Sequence, residues 1–154
     1  NLAGDLRYYH RSGDEGQDAL MLDAAQLARA VWARAGGWLE TERADWQLAL
    51  CAAAAGKPAL ALAHARDCLR LCEAQEADAF ERFFAHEALA RAHHAAGEAA
   101  LARQACERMA ALLAQLPLED QAYAGKTLAD LVEISHSPAK VSAPFSSSSS
   151  SPIS

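Results

Sequence analysis

A chain of 154 residues holds one domain, or one domain and a tail, and its net charge of −6 offers no basic face for a phosphate backbone: 14 Lys and Arg are scattered among 20 Asp and Glu. No apolar run reaches the roughly 18 residues that span a bilayer, and no predicted helix has a strongly basic polar face, so nucleic acid and membrane are both set aside as partners. Alanine supplies much of the 52% apolar fraction and aromatics are only 6%, so the core must form by close packing of helices over small side chains.

The chain reads as all-α, because no useful stretch alternates with period two and β-branched residues are scarce. Gly16, Gly56 and Gly97 stand 40 and 41 residues apart, and each opens a similar phrase: Gly-Gln-Asp-Ala-Leu, Gly-Lys-Pro-Ala-Leu and Gly-Glu-Ala-Ala-Leu. A fixed period in this range marks an array of helical hairpins, each burying its apolar face on its neighbours.

In chain order, a short helix over 2–11 is followed by a turn and a long helix from Asp18 to Ala35, with apolar positions Leu20, Leu22, Leu27, Val31 and Trp32. Gly36-Gly37 closes it, where glycine can adopt the left-handed backbone. Thr41 is the expected N-cap of the next helix, which stops at Gly56. Pro58 stands in the first turn of a helix reaching Ala74, and Asp78-Ala79-Phe80-Glu81 has the form of a capping box for a helix ending at Gly97. Residues 99–116 follow until Pro117 stops them, and Glu119 to Ile134 form a final capping helix. The helical domain therefore covers 1–135. Residues 136–154, with a run of six serines, read as a flexible Ser/Pro-rich tail that orders only against a groove or a neighbour.

Cys51, Cys68, Cys72 and Cys106 fall inside predicted helices at positions where a small apolar residue would serve, as free thiols do in a reducing cytosol, so a cytoplasmic location is expected. The chain begins at Asn1 rather than Met, which leaves open a reading as the regulatory fragment of a larger protein.

The repeat units resemble the tetratricopeptide pattern in a divergent form. Trp46-Gln47-Leu48-Ala49 precedes Gly56 and Leu89-Ala90-Arg91-Ala92 precedes Gly97, while Ala61 and Ala102 each follow five residues after their glycine. Leu48 and Leu89 fit the large position of that motif and Ala49 and Ala90 its small one; the first unit matches only at its glycine turn, and the period exceeds the usual 34 residues. Ala-Leu-Ala-His-Ala-Arg-Asp-Cys-Leu and Phe-Ala-His-Glu-Ala-Leu-Ala-Arg-Ala are similar to phrases of an uncharacterised bacterial tetratricopeptide-like family. The resemblance implies a right-handed superhelix of antiparallel helix pairs whose first helices line an inner face. Related domains that clamp a C-terminal carboxylate do so with Lys, Asn and Arg, whereas the matching positions here hold Trp46, Leu50, Phe84 and Ala88, so that mode is not expected.

On this alignment the inner face presents Arg43 and Trp46 from one unit and Phe84, Glu87, Arg91 and His94 from the next. The last four lie at i, i+3, i+7 and i+10, one helix face, and a mixture of aromatic and charged side chains suits recognition of a peptide, a partner helix or a second copy. The plainer alternative is that Trp46 and Phe84 pack between units. His64, Cys68 and Cys72 form a stripe at i, i+4 and i+8 with good zinc-binding chemistry, but its outer members stand about 12 Å apart along the axis, too far for one ion, and buried thiols are the stronger reading. His86-Glu87 lacks the second histidine of a His-Glu-x-x-His helix, since position 90 is Ala. No phosphate loop or nucleophile elbow is present, so a non-enzymatic interaction module without catalytic residues, metal or cofactor is the expectation; a metal- or thiol-dependent protein using the His/Cys stripe is the alternative.

Overall fold

The computed structural model describes residues 15–136, which form six helices and no strand. They are α1 (Glu15–Ala35), α2 (Trp38–Ala54), α3 (Pro58–Ala74), α4 (Ala79–Ala95), α5 (Ala99–Leu113) and α6 (Leu118–His136). The helix expected over 2–11 and the Ser/Pro-rich stretch beyond 136 lie outside the described residues.

Every helix packs on the next in sequence, and α2 also touches α4, as α4 touches α6. No such contact joins α1 to α3 or α3 to α5. The even-numbered helices therefore form one contiguous layer, and the odd-numbered ones lie behind it.

Small side chains allow this close approach. Ala49, Ala61 and Ala102 are wholly inaccessible and Ala90 nearly so, beside Leu48. One core cluster joins Met21, Leu22, Leu48, Leu50 and the alanines of α2 to α4; a second gathers Phe83, Cys106, Met109, Leu116 and Leu131 between α4, α5 and α6.

Three turns end in the same way. At Gly56 (φ +70°) and Gly97 (φ +75°) the backbone enters the left-handed region. Lys57 N–H then donates to Ala52 O at 2.9 Å, as Glu98 N–H does to His93 O, which satisfies carbonyls that the helix ends would orphan. The turn after α3 uses the same geometry with a residue that carries a Cβ, Glu76 at φ +50°.

Two expectations about helix ends change. α2 begins at Trp38, one turn before a start capped by Thr41, because the Glu40 carboxylate accepts from Gly37 N–H at 2.9 Å and closes the first turn. Gly36-Gly37 is not left-handed either: Gly37 has φ −87°. The need at Gly36 is steric, since a Cβ there would come within 2.8 Å of the Glu40 Cβ. Asp78 caps α4 as expected, accepting from Glu81 N–H at 3.1 Å, but the Glu81 carboxylate turns to Arg43 of α2.

The apolar stripe expected on α1 is only partly buried. Leu22 is covered, whereas Leu20, Leu27 and Val31 stay exposed, because α2 is the one neighbour of α1 among the described residues.

Candidate functional site

All six residues that sequence spacing assigns to an inner face lie on the layer formed by α2, α4 and α6. Trp46 half-buries between α2 and α4 and meets Phe84 edge-on, with ring centroids 6.1 Å apart. Phe84 meets Phe80 at a 60° tilt, ring centroids 4.9 Å apart, and reaches Tyr123 of α6 at 6.1 Å. An aromatic strip thus crosses three helices, ending in a tyrosine that is 68% exposed. Trp46 and Phe84 both pack between units and face the surface, so the two readings of them are not exclusive.

Two depressions flank the strip and share Trp46 and Tyr123. The larger, about 640 Å³, has aromatic walls of Trp32, Phe80 and Phe84 and a polar side formed by Arg43, Glu42 and Glu81. The smaller, about 490 Å³, runs between Glu87, Arg91 and His94 of α4 and Lys126 and Asp130 of α6. Glu87 is buried and holds this wall together: Trp46 Nε1 donates to its Oε2 at 3.1 Å and Arg91 Nε to its Oε1 at 2.9 Å. With both oxygens engaged, an otherwise costly buried carboxylate is satisfied, and Trp46 and Arg91 are fixed in orientation. His94 faces the smaller groove, while His93 turns toward Glu98 in the adjoining turn.

A second polar system lies between the layers. The His64–Cys68–Cys72 stripe of α3 does not converge on one point; it is divided between two buried carboxylates of α2. His64 Nδ1 and Arg29 Nε meet Asp45 Oδ1 at 2.9 and 2.6 Å. Cys68 and Cys72 instead place their sulfurs 2.8 and 3.4 Å from Glu42 Oε1. Burial pushes the Asp45 carboxyl upward, but the hydrogen bonds from His64 and Arg29 and the charge of Arg29 outweigh it, and the net shift is below the usual carboxylate range. No cation among the described residues forms an ion pair with Glu42, although the charge of Arg43 acts on it. Burial raises its carboxyl to about 7, the thiol hydrogen bonds pull against this, and the nearby charge of Glu81 pushes further up. The Cys68 thiol is raised by its neighbour Cys72 first, then by burial and Glu42. None of the four cysteines forms a disulfide, and all are buried.

The carboxylates were missed at the sequence level although a signal exists. Glu42, Asp45, Ala49 and Ala52 follow i, i+3, i+7 and i+10, and Glu81, Ala85, Ala88 and Ala92 follow i, i+4, i+7 and i+11; all eight are buried. Acids standing in an apolar stripe mark buried polar contacts. Tyr123, Lys126 and Asp130 carried no comparable signal, since their role depends on where α6 docks.

No protein family, curated protein or solved structure matches the chain. No helix among the described residues is long and apolar enough to cross a membrane.

Proposed function

We propose that this chain is a non-enzymatic, tetratricopeptide-like interaction module, cytoplasmic like its reduced thiols, that binds a peptide or partner helix across α2, α4 and α6. The observation that carries this reading is the aromatic strip Trp46–Phe84–Tyr123, which joins two surface depressions and is framed by Arg43, Glu87, Arg91 and His94. Contact between α2 and α4 and between α4 and α6, with none between the odd-numbered helices, supports a layer that curves toward this face. Aromatic anchors with arginine beside them are the side chains that concentrate binding energy at interfaces.

Trp46 and Arg91 both satisfy buried Glu87, so replacing either perturbs the fold as well as the surface. Exposed Tyr123 and half-buried His94, both lining the smaller groove, give a cleaner test. A random 12-residue peptide library selected against the full chain should yield sequences whose binding falls at least tenfold in Tyr123→Ser combined with His94→Ala, with the circular dichroism spectrum unchanged. Selected peptides that bind this double variant as well as the wild type would refute the assignment.

A further inference from the structure

Aromatic residues are scarce in this chain, yet five of them wall one depression: Trp32 of α1, Trp46 of α2, Phe80 and Phe84 of α4, and Tyr123 of α6. The rings do not stack. Trp46 stands at 82° to Phe84 and Phe80 at 60°, so their planes meet at steep angles beside the 640 Å³ space. Trp32 and Tyr123 are exposed, so burial in the core does not account for an aromatic ring at either position.

Among these rings stand three carboxyls, Glu40, Glu42 and Glu81, and one cation, Arg43. Arg43 is engaged by the acids: its Nε and Nη2 both donate to Glu81, and its charge also reaches Glu42 and Glu40. Two carboxylates against one guanidinium leave the walls net negative even when Glu42 carries a proton. A ligand that complements this depression is therefore a cation with apolar bulk.

The carboxyl oxygens decide which cation. Both oxygens of Glu81 accept from Arg43, and Glu42 Oε1 accepts from the thiols of Cys68 and Cys72. The Glu42 carboxyl also hydrogen-bonds to Glu81, and Glu40 Oε2 accepts from Gly37 N–H. A primary ammonium entering here would leave water with three N–H donors and would have to compete for acceptors already in use. A quaternary ammonium carries its charge without any N–H donor, and it is stabilised by aromatic faces and a negative surrounding field. Building on the peptide-binding reading, we propose that this depression binds a quaternary ammonium group, the trimethylated side chain of a lysine in the partner peptide.

The test uses the full chain, labelled with nitrogen-15, and three short Gly/Ser/Ala peptides that differ only at one central residue. That residue is trimethyllysine, lysine, or the neutral tert-butyl carbon analogue of trimethyllysine. Indole N–H signals, assigned with single Trp→Phe variants, report binding at each tryptophan. The trimethyllysine peptide should shift the signals of Trp32 and Trp46 and leave that of Trp38, which does not line the depression, in place. Its affinity should exceed that of either other peptide at least tenfold, about 1.4 kcal/mol. Trp32→Ala, with an unchanged circular dichroism spectrum, should abolish this preference, and Tyr123→Ser should lower it; His94→Ala, in the other groove, should leave it intact. Free choline should bind more weakly than the trimethyllysine peptide, and choline of equal affinity overturns the peptide as the source of the group. Lysine or the neutral analogue binding as tightly as trimethyllysine overturns the proposal, as does an absent Trp32 shift or a preference that survives Trp32→Ala. Library-selected peptides that need Tyr123 and His94, yet gain nothing from trimethyllysine placed at each position in turn, would overturn the ammonium assignment and leave the peptide-binding face standing.

Discussion

Replacing Glu76 with glycine should stabilise the fold, because the α3–α4 turn uses the left-handed geometry of the turns at Gly56 and Gly97 without their glycine. Its φ of +50° costs an L-residue about 1–2 kcal/mol through the clash of Cβ with the backbone. The turn holds regardless, since Ala77 N–H donates to Cys72 O at 2.9 Å and Glu76 N–H to Glu73 O at 3.3 Å. Glycine removes the clash but gives the unfolded chain more freedom, which takes back about 0.4–1 kcal/mol. The net gain for Glu76→Gly is about 0.5–1 kcal/mol. The Glu76 side chain is exposed, so its removal leaves no buried group unpaired. Urea unfolding followed by circular dichroism at 222 nm reads this as a higher midpoint at unchanged slope. Glu76→Ala keeps the Cβ and separates strain from loss of charge; it should fall well short of the glycine variant. Equal midpoints for the two variants would refute the strain argument.

Two further outcomes follow from the buried carboxylates. Asp45 has a folded-state pKa below its unfolded value, so its contribution is fully present above about pH 4 and is lost as pH falls through the folded value. The stability gap between wild type and Asp45→Asn, about 1–3 kcal/mol near neutrality, should therefore narrow in urea melts taken below pH 4, and a gap constant down to pH 3 would contradict this. Replacing the whole group, Arg29→Met, Asp45→Leu and His64→Leu, should leave thermal stability equal or higher while side-chain NMR lines broaden and dye-accessible apolar surface increases.

The helices were legible in the sequence because their punctuation is local. Gly56, Pro58, Asp78 and Gly97 each act within a turn of where they stand, and the structure places them at helix ends. The failures at Gly36-Gly37 and Thr41 have one cause: the Glu40 side chain reaches Gly37 N–H and its Cβ occupies the space over Gly36, a contact that residue preferences taken singly do not reveal. The face was readable for α2 and α4, where the repeat supplies a register, and unreadable for α6, where no repeat does. Tyr123 is the clearest example. Its exposure and its contact with Phe84 follow from the docking of α6, not from its neighbours in sequence.

The buried polar contacts answer a problem that this composition creates. A core of alanines packs closely, yet one alanine resembles another, so sliding a helix by a turn changes apolar contacts little. The carboxylates are not interchangeable in this way. Asp45 of α2 must meet Arg29 of α1 and His64 of α3 together, Glu81 of α4 must meet Arg43 of α2, and Glu87 of α4 must meet Trp46 of α2. Any slip leaves a buried charge unpaired, a penalty of about 3–5 kcal/mol that no alanine contact imposes. On this view the acids contribute register more than stability, which is why the Met/Leu/Leu replacement is expected to stay stable while losing a unique arrangement. A triple variant with sharp, dispersed side-chain resonances would show instead that apolar packing alone fixes the register of α1, α2 and α3.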